Sequence, residues 1–167
     1  MIDITYKEIP PQDEAQVRNL ISKVLGELER PEFFIPYAEW ELNSLFDKSY
    51  ALLDGAYVGD KLVGMAQLYL QQEMLNEFKD VLGLREYKVC ELGGNLVLKE
   101  YRGHGIMYHM IRKQLEDARR LQFDYVISMA HPDNAASLKS LKKLGLEFMK
   151  NATVSNGHER EIVGMKL

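Results

Sequence analysis

The sequence predicts an α/β (α+β) chain folded as one domain, and three observations carry that prediction. Short runs of strand formers alternate with longer helical patterns. Two strand pairs are joined by tight-turn signals, Gly59-Asp60 and Asn156-Gly157. At the centre, a strand run passes through a glycine turn straight into a helical pattern. The 167 residues, 46% of them hydrophobic, suit one domain, 1–167, with a sizeable core.

Taken in order, Ile2, Ile4 and Tyr6 alternate with polar residues and predict a first strand, closed by Pro10-Pro11. Val17, Leu20, Ile21, Val24, Leu25 and Leu28 then share one helical face, and Pro31 ends the pattern. A less regular helical segment is expected between Tyr37 and Leu52. Its aromatics read as core, with a substrate-pocket wall as the alternative. Ala56-Tyr-Val and Lys61 to Tyr69 predict a hairpin about Gly59-Asp60. Met74, Leu75, Phe78, Val81 and Leu82 predict a helix that Gly83 caps. From Cys90 a strand run leads to Arg102-Gly103-His104-Gly105, and Ile106, Met107, Met110, Ile111, Leu115, Ala118 and Leu121 begin a helix at once. Phe123 to Ala130 predicts a strand. Asn134 opens a helix with Ala135, Leu138, Leu141 and Leu144 inward, and Leu146–Val154 with Glu159–Leu167 closes the chain as a hairpin.

Composition limits the function classes. A formal net charge of −4 weighs against general nucleic-acid binding, which needs a basic face to displace counterions. Cys90 is the one cysteine, so no intrachain disulfide forms, and its strand position reads as core. Met1-Ile-Asp-Ile-Thr-Tyr lacks the basic and apolar regions of a signal peptide, and no apolar run spans a bilayer. The expectation is a soluble, cytoplasmic protein with no membrane or nucleic-acid partner. No Cys/His cluster has metal-ligand spacing, so no metal is expected.

Two glycines flanking one residue at a helix start leave bare N–H groups beside the positive end of the helix dipole. Arg102-Gly-His-Gly105 therefore reads either as a tight turn alone or as a phosphate cradle.

This stretch resembles the acyl-CoA motif of the GCN5-related N-acetyltransferase (GNAT) superfamily, Gln/Arg-x-x-Gly-x-Gly/Ala at a strand-to-helix turn. Arg102 and Gly105 match, Tyr101 and Gly103 reproduce the common Tyr-Arg-Gly-x-Gly form, and Met107 stands where the family has a small residue. His131-Pro-Asp-Asn134 to Leu146 resembles the family's second motif, an Asn-x-x-Ala/Ser helix ending in Lys-x-Gly-Phe. The resemblance spans essentially the whole chain. It implies a mixed, mostly antiparallel twisted sheet of about seven strands, splayed between the central strand and the next and flanked by helices. It further implies that acetyl-CoA lies in the splay, its pantetheine arm along the main chain of Asn95, Leu96 and Val97. The pyrophosphate would sit on the N–H groups from Gly103, His104, Gly105, Ile106 and Met107 to Tyr108, with Met107 turned into the core. Asn134 would approach the pantetheine arm or simply cap its helix.

Acyl transfer to an amine needs a base, an oxyanion donor and a proton for the thiolate. Glu91, eleven residues before Arg102, holds a position where some members of the family carry a general base, and a solvated strand-edge glutamate is the alternative. At the family's usual general-acid position, seven residues after Asn134, stands Leu141, which has no proton to give. His131, Tyr108 and Tyr101 are the possible substitutes. Lys139, Lys142 and Lys143 form a solvated face or meet the 3′-phosphate, and Arg160 is a candidate for a substrate carboxylate if it faces the splay. The resemblance thus implies an acyl-CoA-dependent N-acyltransferase acting on a small amine. A non-catalytic acyl-CoA sensor and a protein N-terminal or lysine acetyltransferase are the alternatives.

Overall fold

The computed structural model describes residues 1–167 as one seven-stranded sheet in the order β1-β2-β3-β4-β5-β7-β6. The strands are β1 (Thr5–Glu8), β2 (Ala51–Val58), β3 (Lys61–Tyr69), β4 (Val89–Val97), β5 (Tyr125–Ala130), β6 (Glu147–Val154) and β7 (His158–Lys166). The helices are α1 (Glu14–Gly26), α2 (Glu39–Asn43), α3 (Asn76–Leu82), α4 (Ile106–Arg120) and α5 (Ala135–Lys143). Every strand pair is antiparallel except β4 with β5. That one parallel pair follows from the crossover through α4, since strands joined by a helix return in the same direction.

Apolar periodicity sets the packing. Ile111, Leu115 and Ala118 of α4 share a core cluster with Leu138 and Leu141 of α5 and with Leu68, Cys90, Leu92 and Val126 of the sheet. Phe78 of α3 packs with Val89, Ile127 and Ile162, the alternate residues of the same strands, and so covers the opposite face. Val17, Leu20, Ile21 and Val24 of α1 join β2, β3 and the first turns of α4 in the largest cluster. An ion pair with one buried partner fixes α4 laterally. Asp54 of β2, 3% exposed, meets Lys113 at 2.9 Å and accepts from Gln114 Nε2 at 3.2 Å. With its hydrogen bonds made, such a pair holds register, and α4 carries the glycine turn at its N-terminus.

Two expectations change. The helical segment from Tyr37 to Leu52 shrinks to α2, and β2 begins at Ala51 rather than Ala56. Ala51, Leu52 and Leu53 pair with Tyr69, Leu68 and Gln67, so cross-strand pairing overrides the apolar spacing that ran on from the helix. The first strand is shorter than its pattern. Ile2 is exposed, and pairing with β2 starts at Thr5. No helix is long and apolar enough to cross a membrane.

Candidate active site

The site grows out of the one place where the sheet stops pairing. β4 and β5 pair from Val89–Tyr125 to Leu92–Ser128, where the Ser128 hydroxyl donates to the Leu92 carbonyl at 2.8 Å. Beyond that point β4 runs on to Val97 without a β5 partner. A bulge marks the parting. The register with β3 slips between Met65 and Gln67, opposite Gly93 to Leu96, and Gly94 takes φ +57°. Both glycines are required there. A Cβ on Gly93 would lie 2.5 Å from the Tyr69 ring, and one on Gly94 2.5 Å from Gln67 Oε1 and 2.7 Å from the Tyr37 hydroxyl.

Along this free edge Leu98 N–H donates to the Val63 carbonyl at 2.9 Å, so in the alternation of an antiparallel ladder Leu96 faces Met65 with its main chain and Val97 turns outward to the gap. Arg102 Nε takes the Val97 carbonyl at 3.2 Å, so the arginine braces the strand end. The Asn95 amide oxygen is buried with no hydrogen-bond partner.

Below the gap, Gly103 (φ +81°) and Gly105 (φ +74°) turn the chain into α4, which starts with no side-chain cap and no acid in its first turn. Its first N–H groups are therefore unpaired donors at the positive end of a 15-residue helix. A Cβ on Gly103 would meet only open space. Ile106 is buried, and Met107 packs half-buried against two core clusters, so its bulk is turned from the turn's outer surface. His104 and Tyr108 are exposed, and Lys143 lies 5.6 Å over the Tyr108 ring, bringing a cation beside this helix start. Asn134 caps α5, its side-chain oxygen accepting from Ser137 N–H at 3.3 Å. A bare helix N-terminus, an unpaired strand edge and an orphaned amide oxygen fit the pyrophosphate and amides of an acyl-CoA.

Glu91 stands two residues before the bulge, half-buried, opposite Tyr69 of β3 and Ile127 of β5. Burial, with Glu41 of α2 adding like charge, pushes its carboxyl up to about 8. The surroundings are aromatic. Tyr37 and Tyr69 both donate to Gln67 Oε1, at 2.6 and 2.9 Å, leaving the buried Gln67 amide N–H₂ without an acceptor. Tyr50 stacks on Tyr69 with centroids 5.5 Å apart, and burial holds all three phenols neutral well above the ordinary tyrosine range.

Leu141 is 2% exposed, packed in the cluster that holds Leu92 and Ala130. His131 stacks on Phe33 at 5.3 Å and accepts the Asp133 N–H through Nδ1, and Tyr101 lies under Lys61. Arg160 is buried and donates to the main-chain carbonyls of Glu159 and Glu32, at 2.7 and 3.0 Å. It thereby ties the connection after α1 to the β6–β7 hairpin and borders a polar pocket of about 400 Å³ shared with His131 and His158. No group of His, Cys, Asp and Glu is arranged to hold a metal ion.

Glu91 was a candidate from the sequence, and the aromatics from Tyr37 to Leu52 had a pocket wall as their alternative, whereas Glu41, Gln67 and Tyr69 were not singled out. One signal was legible. Gln67 and Tyr69 are polar-tipped residues two apart on an otherwise apolar strand, so they share a face.

The family profile described as "Acetyltransferase (GNAT) family" matches residues 15–146. No curated protein matches the chain in sequence. Among solved structures, a chain of the NatC complex bound to Gag peptide and CoA superposes with a TM-score of 0.77 at 17% identity, covering 99% of each chain. A ribosomal-protein-alanine N-acetyltransferase from Brucella melitensis gives 0.72 at 18% identity, covering 98% of this chain and 99% of that one. An N-acetyltransferase from Staphylococcus aureus gives 0.74 at 15% identity, covering 98% and 97%. At such identities the likeness is one of fold.

Proposed function

The chain belongs to the acetyltransferase (GNAT) family and is an acetyltransferase, and from that premise we propose that it transfers acetyl from acetyl-CoA to a primary amine of a small molecule by direct attack in a ternary complex. The observation that carries the reading is Glu91, a half-buried carboxyl raised to about 8, set where the β4–β5 pairing ends. A base near neutrality beside a main-chain gap is what acyl transfer to an ammonium requires.

In this reading Val97 and Asn95 bind the pantetheine arm, and the N–H groups from Gly103 to Tyr108 hold the pyrophosphate. Glu91 takes one proton from the acceptor's ammonium, directly or through water. The freed amine attacks the thioester carbonyl to form the C–N bond, main-chain N–H groups at the bulge meet the negative charge on oxygen, and as the C–S bond breaks the nitrogen gives its second proton to water, leaving a neutral amide. Leu141 offers no proton, so the thiolate leaves as an anion and is protonated from solvent. The lone buried thiol, Cys90, is raised to about 12 by burial and takes no part. It suits a reducing cytoplasm, where we place the protein.

The test is thiol release from acetyl-CoA against a panel of alkyl amines, amino acids and peptide N-termini. Turnover on a small amine is expected, with kcat/KM rising with pH through about 8 as Glu91 loses its proton. Glu91→Gln should lower kcat by about 100-fold and abolish that limb. Saturable acetyl-CoA binding with no thiol release across the panel would sink the small-amine reading. An unchanged rate in Glu91→Gln would remove the base.

A further inference from the structure

Two carboxyl groups near the parting strands, Glu91 on β4 and Glu41 on α2, have no cation beside them. Glu41 accepts the Ala38 N–H on Oε2 at 2.7 Å, and neither it nor Glu91 belongs to any ion pair of the chain. Arg18, the cation that α1 sends toward α2, is taken by Glu14, Glu39 and the Leu42 carbonyl. The two acids are nonetheless near enough for the charge of Glu41 to raise Glu91. In the deprotonated form that acts as base, Glu91 faces the like charge of Glu41, which costs free energy unless a ligand brings the opposite sign.

A ladder of rings runs alongside them. Trp40, next to Glu41 on α2, meets Tyr50 edge-on at 5.7 Å, Tyr50 meets Tyr69 at 5.5 Å, and Tyr69 is the cross-strand partner of Glu91. The outer end is open, with Trp40 51% exposed. The inner end is closed. Tyr50 is 3% exposed, and its hydroxyl makes no well-aligned hydrogen bond but lies against Glu41, within the charge of Glu91 and beside Tyr37. Aromatic faces attract cations through their quadrupole, and carboxylates attract them by charge, so both walls select the same chemistry.

Glu91 is spoken for by the reacting nitrogen, whose proton it takes. A monoamine would then leave Glu41 uncompensated, whereas an acceptor with a second ammonium satisfies both acids. Taking the acetyl-transfer reading as its basis, we propose that Glu41 and the faces of Trp40, Tyr50 and Tyr69 hold a second ammonium of the acceptor, which makes the acceptor an alkyl diamine or polyamine.

Trp40 is the chain's one tryptophan, so its fluorescence reports on this wall without any need for turnover. Titration with 1,4-diaminobutane, and with tetramethylammonium, which has no N–H to acetylate, should change the emission saturably. Potassium chloride at equal ionic strength should not. In Glu41→Gln, which keeps an oxygen for the Ala38 N–H, the diamine Kd should rise by about tenfold or more. In thiol-release assays the kcat/KM ratio of 1,4-diaminobutane to butylamine should exceed about ten in the wild type and collapse toward one in the variant. Saturable emission changes lost in Glu41→Gln but without turnover would sink the acetyl-transfer reading and keep the cation wall. Turnover with equal rates for butylamine and the diamine, and no saturable emission change, would overturn the wall and keep acetyl transfer.

Discussion

The proposed donor half of the site is chiefly main chain from one continuous stretch, Gly93 to Tyr108, with the Asn95 side chain the exception, whereas the proposed acceptor half is side chains from separate segments: Tyr37 before α2, Trp40 and Glu41 on it, Tyr50 before β2, Tyr69 on β3 and Glu91 on β4. The donor half works by what is missing: a strand partner after Leu92, a Cβ at Gly103 and Gly105, and an acid in the first turn of α4. The acceptor half works by what is present, three phenols and the Glu91 carboxyl raised out of their ordinary ranges by burial, with Trp40 and Glu41 beside them. A backbone site tolerates almost any sequence that keeps its conformation, so it is broken by adding atoms. A side-chain site is broken by removing them.

The largest effect tests that contrast directly. Gly105→Glu adds bulk and negative charge at the helix start and strains a φ of +74°, so acetyl-CoA affinity should fall by more than about 100-fold by calorimetry. Gly105→Ala supplies the control, since it carries the backbone strain, about 1–2 kcal/mol, without the charge. Equal losses in the two variants would mean that the turn is conformational and no anion sits on it.

A smaller effect should appear at the seam between the halves. Gly93→Ala places a methyl 2.5 Å from the Tyr69 ring, which must move together with its hydrogen bond to Gln67. A stability loss of about 1–3 kcal/mol is expected by thermal or urea unfolding, as for other overpacked sites. The acceptor KM should rise while acetyl-CoA affinity holds. If the donor's affinity fell as well, the halves would not be separable and the bulge would serve both.

The same contrast explains what the sequence revealed. The strand-turn-helix around Arg102 to Gly105 was legible because its signals are local: glycine spacing, strand formers before it and a 3.6-residue pattern after it. The order of strands and helices was legible for the same reason. Glu91 was reachable only through resemblance, because nothing local distinguishes a half-buried glutamate from an exposed one. Tyr37 and Tyr50 lay in a segment whose aromatics had a pocket wall only as the alternative, and their convergence with Gln67 was out of reach, since Tyr50 meets Tyr69 only after β2 starts five residues earlier than its pattern suggested. Leu141 was read correctly as inward-facing from its period.

The smallest effect separates two roles that one residue can combine. Asn134 caps α5 through its side-chain oxygen, and no acceptor in the protein takes its amide N–H₂. Asn134→Asp keeps a capping oxygen, removes the donor and adds a negative charge, whereas Asn134→Ala removes cap and donor together. If the residue is only a cap, Asn134→Ala should cost about 1 kcal/mol of stability, Asn134→Asp almost nothing, and neither should alter acetyl-CoA binding. If the amide also donates to the pantetheine arm, both variants should weaken acetyl-CoA binding by several-fold, the aspartate at least as much as the alanine, because a lost hydrogen bond is worth about 0.5–1.5 kcal/mol. Calorimetry of acetyl-CoA binding beside thermal unfolding of the two variants distinguishes these outcomes. Weakened binding at full stability in Asn134→Asp would add a second side-chain contact, beside the Asn95 amide oxygen, to a donor half made chiefly of main chain.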